Sequence, residues 1–378
     1  MLLTLSSRRT ATRSVPVSKR VTTFCAGILA AAILSGCAVQ SSSPTANKGE
    51  PVSAILSAQM IDGDATYPQA HASSIAETLD GKLVATWFAG VHERHPNVGI
   101  YIAHFENGSW QKAVEVANGK QPDGTFQPTW NPVLFQPEVG DLLLFYKVGP
   151  NPREWWGMVM RSADGGRTWG TPERLPDGIL GPIKNKPIVT NDGSWLSPSS
   201  SETMEVWHMH FERSKDQGKT WTKSEMVNRG PGIDAIQPSV LVHADGRMQA
   251  VARTKQGALA SAWSSDRGIT WTPVSAIDLP NPSSGTDAVT LKDGRHLIIY
   301  NHSAHRPDTP GKGVRYPLNL AISDDGISWT PILTLEDKPL VSGYAYPAMI
   351  QSADGLVHLT YTWDRKRIKH VVVDPAKL

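Results

Sequence analysis

The chain has 378 residues, with 37 Lys and Arg against 35 Asp and Glu, 32 Gly, 28 Pro, 13 Trp and 2 Cys. That length holds one large β domain or two ordinary ones. The near-neutral charge excludes a generally basic nucleic-acid binder, two Cys exclude a disulfide framework or a Cys-rich zinc site, and 40% apolar residues exclude a chain disordered throughout.

The first 36 residues read as an address. Arg8, Arg9, Arg13, Lys19 and Arg20 precede an apolar run from Val21 to Gly36, with no acidic residue among them. A basic region, a short apolar region and small residues at its end make a secretory signal, and the run is short for a membrane span. It closes on Leu34-Ser35-Gly36-Cys37, which resembles the bacterial lipoprotein cleavage box. The resemblance implies that Cys37 is lipidated and, with Ala38 rather than Asp behind it, that the anchor lies in the outer membrane, facing the periplasm or the outside. Residues 37–53 are Ser-rich and polar, a flexible tether. Cys25 leaves with the signal, so no thiol nucleophile remains. Loss of the five basic residues takes the formal charge from +2 to −3, so a basic membrane-binding face is not indicated.

Residues 54–378 repeat. Six hairpin signals, each a turn glycine between strand-like runs, place Gly81, Gly140, Gly193, Gly246, Gly294 and Gly355 at spacings of 59, 53, 53, 48 and 61 residues. A second series interleaves with them: SADGGRTW ending at Trp169, SKDQGKTW at Trp221, SSDRGITW at Trp271, the weaker ISDDGISW at Trp329 and a remnant at Trp110. In each box Asp and Ser bond neighbouring backbone N–H groups and Trp fills the space between sheets. One hairpin and one Trp-ended turn per period suit a four-stranded sheet, and six periods predict an all-β, six-bladed β-propeller of antiparallel blades. No convincing helical periodicity follows position 53.

With these boxes the chain resembles the sialidase (neuraminidase) superfamily, whose six-bladed propellers carry such "Asp boxes". The resemblance covers residues 60–375 and implies an active site. In that family three arginines clamp the substrate carboxylate, a Tyr with a Glu partner is the nucleophile, and an acidic group passes the proton. The Tyr is an exception among glycosidases, which mostly use two carboxylates.

Carried over residue by residue, the resemblance makes Tyr344 in SGYAYPAMIQ the catalytic phenol, with Tyr346 two residues on and on the same face of a strand. Arg253 in AVARTKQG and Arg315 in GVRYPLNL fall where the second and third clamps fall, and their planar forks suit a carboxylate. The first clamp is missing: His71 stands in its place, and the residue that would brace it falls near Trp363. Gln237 replaces the Glu partner. After the first hairpin, Glu93 is the expected proton donor, Arg94 a replacement clamp, and His95 an orienting or proton-transferring group. His71 is a base near neutral pH.

Weaker candidates are Trp130 and Asn131 for sugar contact, and Lys184 and Lys186 for an anionic sugar. A His208/His210 pair is a poor metal signal. No P-loop, dinucleotide glycine pattern or His-Glu-x-x-His motif is present, so no cofactor and no metal are expected.

Three readings follow. The first is an exo-acting glycoside hydrolase on an acidic glycan terminus, sialic-acid-like or uronic-acid-linked. The departures from the family pattern speak against true sialidase activity. The second is a polysaccharide lyase that uses Tyr and His on a uronic-acid glycan while Arg neutralises the carboxylate. The third is a non-catalytic glycan-binding lipoprotein. The expected partners are an acidic carbohydrate and the lipid anchor, with no nucleic acid, and a monomer is expected.

Overall fold

The computed structural model describes residues 53–229, 232–305 and 312–378. The signal, Cys37 and nearly all of the tether lie outside them.

Among the described residues the structure is strands and turns, apart from a 3-10 turn at Pro375–Lys377. Six antiparallel sheets follow one another along the chain. Their inner strands are Gln69–Glu77, Thr129–Phe135, Ile188–Val189, Ala235–Val242, Asp287–Thr290 and Tyr344–Gln351, and we number the blades 1 to 6 in that order. Each blade runs outward from its inner strand. In blade 1 the outer position is shared by Ser109–Trp110 and Val114–Ala117, which both pair with the third strand. In blade 6 the outer strand is Ile55–Met60, from the other end of the sequence, paired antiparallel with Arg367–Val373. The hairpin series did not register this strand. It closes the ring and covers what would be an open sheet edge.

The strands form where they do because both faces of each blade are covered. The second strand of blade 1, Leu83–Gly90, is buried at every residue, as an apolar run flanked by two neighbouring sheets must be. Phe88, Ile100, Leu134, Leu144 and Tyr146 fill the space between blades 1 and 2. Ile299, Leu320, Met349, Leu359 and Tyr361 do so between blades 5 and 6.

The Asp boxes join third to fourth strands. In the first, Ser162 Oγ donates to Asp164 Oδ1 (2.7 Å), Thr168 Oγ1 to Asp164 Oδ2 (2.6 Å) and Trp169 Nε1 to the Gly166 carbonyl (3.0 Å). The pattern recurs at Asp216, Asp266 and Asp325. The Thr220 bonds hold the Asp216 carboxyl down at about 2. Each Trp then packs inward; Trp271 lies flat on Phe211, ring centroids 4.2 Å apart.

Candidate active site

Four inner strands carry a bulge near their start. The pairing register slips between His71 and Ser74, Trp130 and Val133, Ile236 and Ser239, and Ala345 and Ala348. The first residue of each bulge has positive φ: Ala72 57°, Asn131 39°, Gln237 57° and Tyr346 49°. Such backbone is uncommon outside glycine, and it recurs here at one level around the axis. In three of the four the next residue is Pro (Pro132, Pro238, Pro347), which cannot donate to a ladder. The charged side chains come from a second recurring position, the end of the second strand and the connection that follows it. It supplies Glu93 in blade 1, Glu202 in blade 3, Arg253 in blade 4, Arg315 in blade 5 and Arg365 in blade 6.

Tyr346 is where these two sets meet. Its hydroxyl oxygen accepts from Arg253 Nη2 (3.3 Å) and from Gln237 Nε2 (3.4 Å). The Arg253 guanidinium carbon lies 5.5 Å from the Tyr346 ring centre and that of Arg315 6.0 Å. The His71 ring is 4.4 Å away on another side. Arg253 is fixed by donating Nη1 to the Ser283 carbonyl (2.9 Å) and by lying 5.3 Å over Trp207. Arg315 comes close because Gly343 lacks a side chain. A Cβ there would sit 2.7 Å from the Arg315 carbonyl oxygen, and Gly343 has φ 64°. Burial draws the Arg315 guanidinium down to about 10, so it remains a cation at neutral pH.

Arg365 supplies a third guanidinium. It pairs with Glu93 across blades 6 and 1, both side chains partly exposed. Sequence reasoning missed it. It lies in Trp363-Asp364-Arg365-Lys366, two residues beyond the place where the family's bracing carboxylate falls, in the tight turn that follows the second strand of blade 6. Glu202 was missed too. Its signal was a serine run ending in a carboxylate, with Ser197, Ser199 and Ser200 buried. Burial raises the Glu202 carboxyl above the ordinary glutamate value and the Glu93 charge adds to this, while Arg253, Lys255 and Arg153 oppose it.

The placement of the expected site residues is mixed. Arg253, Arg315, Gln237, His71 and Glu93 gather in this well. Tyr344 does not. It is buried in blade 6, packs against Tyr361 and donates its hydroxyl to the Lys338 carbonyl (3.0 Å). The bulge breaks the strand alternation that would put both tyrosines on one face, and Tyr346 takes the central position instead.

Glu93 is held by Arg365 rather than left free. Arg94 is exposed, with φ 78°, and makes no ion pair among the described residues. His95 bonds Asn97 within the same loop (2.7 Å). Trp130 is a core residue: its indole N–H donates to the Gly149 carbonyl (2.8 Å) and its ring meets Trp155 and Phe88. Asn131 occupies the blade 2 bulge. Lys186 pairs with Asp287 (3.0 Å) and lines a cavity with Glu77, Gln136 and Gln351. Those three residues end or follow their inner strands, so this cavity is at the far end of the axis from Tyr346. No cluster of three or more His, Cys, Asp or Glu fit to hold a metal occurs among the described residues.

His71 is buried, with Nδ1 against Thr362 Oγ1 (2.9 Å) and no partner for Nε2 among the described residues. Burial, followed by the charges of Arg365, Arg315 and Arg253, holds the imidazole well below its ordinary value. It is therefore neutral at pH 7.

A six-bladed Asp-box ring with a phenol and three guanidiniums at one end of its axis defines a propeller of the sialidase superfamily, in divergent form. The chain belongs to the BNR repeat-like domain family, which matches residues 81–359. It is similar to a sialidase of Bacteroides fragilis, with 27% identity over 213 residues, 48% of this chain and 37% of that protein. A sialidase of Micromonospora viridifaciens is 27% identical over 261 residues, 55% of this chain and 37% of that protein. The aligned region thus spans well under half the length of these relatives. Among solved structures, a protein of unknown function from Dyadobacter fermentans shares the fold with a TM-score of 0.70 at 18% identity, over 85% of this chain and 98% of that one. A Hadza microbial sialidase does so with a TM-score of 0.71 at 18% identity, over 85% of this chain and 69% of that one.

Proposed function

We propose that the protein is an exo-acting glycoside hydrolase of the sialidase superfamily that acts on an acidic glycan terminus. The observation that carries this reading is the Tyr346 oxygen, which receives N–H groups from Arg253 and Gln237 with Arg315 and Arg365 close by. Guanidiniums in this number suit a substrate carboxylate. Donors aimed at the phenol oxygen stabilise it as negative charge grows there. In this reading Tyr346 attacks the anomeric carbon, its phenol proton passing to the unpartnered Nε2 of the adjacent His71 as the bond to the leaving oxygen breaks, or it stabilises the cation formed there. Glu202, the carboxyl whose surroundings favour the protonated form, donates to the leaving oxygen. Glu93 is held in an ion pair by Arg365. The signal-like segment ending at Cys37 supports the further proposal that a lipid holds the domain at the outer membrane.

One observation favours a second reading. The neutral, buried His71 beside Tyr346 suits proton abstraction next to a carboxylate, as in a lyase acting on a uronic-acid glycan.

A single assay separates the outcomes. Acidic oligosaccharides are incubated with the protein, and the products are followed both by ultraviolet absorbance and by new reducing ends. A hydrolase gives reducing sugar without absorbance, whereas a lyase gives an absorbing unsaturated uronide. A protein that yields neither, yet melts at higher temperature with the sugar present, is a binder. In either catalyst Tyr346→Phe removes turnover while the sugar-induced melting shift survives. Undiminished turnover in that variant removes Tyr346 from the mechanism.

A further inference from the structure

Beneath Tyr346 lies a buried cation that the proposed chemistry does not use. Lys184 precedes blade 3 in the segment Gly181-Pro182-Ile183-Lys184-Asn185-Lys186, and only 3% of it is exposed. Its ammonium donates three hydrogen bonds: to Asn185 Oδ1 (2.7 Å), to the Thr286 carbonyl before blade 5 (2.8 Å) and to the Pro347 carbonyl in blade 6 (2.5 Å). An ammonium has three protons and no acceptor, and each proton here has its own oxygen. Asn185 completes the set by donating Nδ2 to the Gln237 carbonyl in blade 4 (2.9 Å).

The acceptors are not arbitrary. Pro347 and Gln237 are bulge residues: one follows Tyr346 and the other donates to the Tyr346 hydroxyl. The dipeptide therefore grips the backbone of Gln237 and of the residue that follows Tyr346. Gly285 permits this approach. A Cβ added there would lie 3.1 Å from Lys184 Cε and 3.3 Å from Tyr346 Cδ2, so lysine stem and phenol ring flank a position with no side chain.

We propose that Lys184 and Asn185 are positioning residues, which act through the Pro347 and Gln237 carbonyls to hold the Tyr346 and Gln237 side chains in register at the floor of the well. A residue held at φ 49°, like Tyr346, persists only where its surroundings over-determine it, and these bonds are the fixed points on either side. Burial pulls the Lys184 ammonium down to about 7, with the charges of Lys186 and Arg253 in the same direction and Asp287 opposed. His71 and Tyr346 also lie near it. Three acceptors on three protons favour the charged form.

The proposal rests on the reading above only for what Tyr346 does, and its test needs no substrate. Protein labelled with fluorotyrosine gives one fluorine signal per tyrosine, and the signal missing in Tyr346→Phe is that of Tyr346. In Lys184→Met and in Asn185→Ala this signal shifts or broadens, while the Tyr344 and Tyr361 signals stay in place. Lys184→Arg does not restore it, because a planar fork cannot meet the same three oxygens. Trp271→Ala serves as the control for lost stability alone and leaves the signal unmoved. Should Lys184→Met fail to fold, Asn185→Ala, which removes a neutral amide, carries the test. An unmoved Tyr346 signal in the folded variants overturns the proposal. On any substrate found by the assay above, kcat falls roughly 10²-fold with KM little changed, as expected when a reacting group is misplaced by about 1 Å. A moved signal in a protein that turns over no acidic sugar removes the catalytic reading and leaves the positioning role standing.

Discussion

The side chains of Tyr344 and Tyr346 leave one strand for different surroundings because a bulge begins between them. In Tyr344→Phe the hydroxyl bond to Lys338 is lost, at about 1 kcal/mol of stability for one ordinary hydrogen bond. Turnover in that variant stays within a few-fold, and urea melts with initial rates check both halves. Arg365 behaves the other way. Its pair with Glu93 is partly open to water on both sides, so Arg365→Ala changes stability by less than about 1 kcal/mol. Binding of glucuronate or N-acetylneuraminate, read by calorimetry, weakens by about tenfold or more, as the loss of one carboxylate contact implies. Equal affinity in the variant takes Arg365 out of the well. Strand alternation could not separate the two tyrosines, and no spacing marked Arg365. Alternation assumes an unbroken pleat, and Arg365 belongs to a turn whose direction is set by the blade packed against it.

Among the elements, the boxes were the most legible and the bulges the least. An Asp box is bonded within itself: Asp216 meets Thr220 four residues on, and Trp221 meets Gly218 three residues back. Its geometry is therefore written in consecutive residues. What its Trp contributes is decided by the sheet beneath. Trp271 stacks on Phe211 of blade 3 while staying partly exposed. Trp271→Ala therefore lowers stability by about 2–3 kcal/mol, less than the 3–5 of a fully buried aromatic, measured by thermal or urea unfolding. The bulges left a trace in the sequence. Asn131-Pro132, Gln237-Pro238 and Tyr346-Pro347 stand at matching distances before three hairpins. A proline inside a strand-like run marks an interrupted ladder, and that repeat singles out Tyr346 over Tyr344.

For the molecule as a whole, the ring closes between blades 1 and 6, and histidines lie at the seam. Trp110 Nε1 of blade 1 donates to His370 Nδ1 of blade 6 (3.1 Å), and His370 Nε2 meets His358 Nδ1 (3.0 Å). Burial, then the neighbouring His358, holds His370 at about 3. Between blades 4 and 5, burial and then His243 hold His296 at about 4. An unfolded histidine takes its proton near 6.5, so between 6.5 and these values the unfolded chain binds more protons than the folded one. Stability is full above about pH 6.5 and falls as the pH drops toward 4 and then 3. Melting temperatures between pH 7.5 and 4 follow this fall. His370→Asn melts lower at pH 7.5 but declines less steeply, and parallel curves for the two proteins exclude the seam as the acid-sensitive contact.

The sequence by itself determined the repeat, the blade count and the hairpin and box positions, because each depends on residues within about ten places of one another. It also marked Arg253, Arg315, His71 and Gln237, which keep fixed offsets from a hairpin or a box. Tertiary structure alone decided that Arg365 and Glu202 join the site, that Glu93 is held by a guanidinium 272 residues away, and that Ile55–Met60 closes the last blade. These depend on where six separately legible sheets bring their connections together. Contacts so distant in the chain follow from packing around the axis and leave no period for a local reading to find.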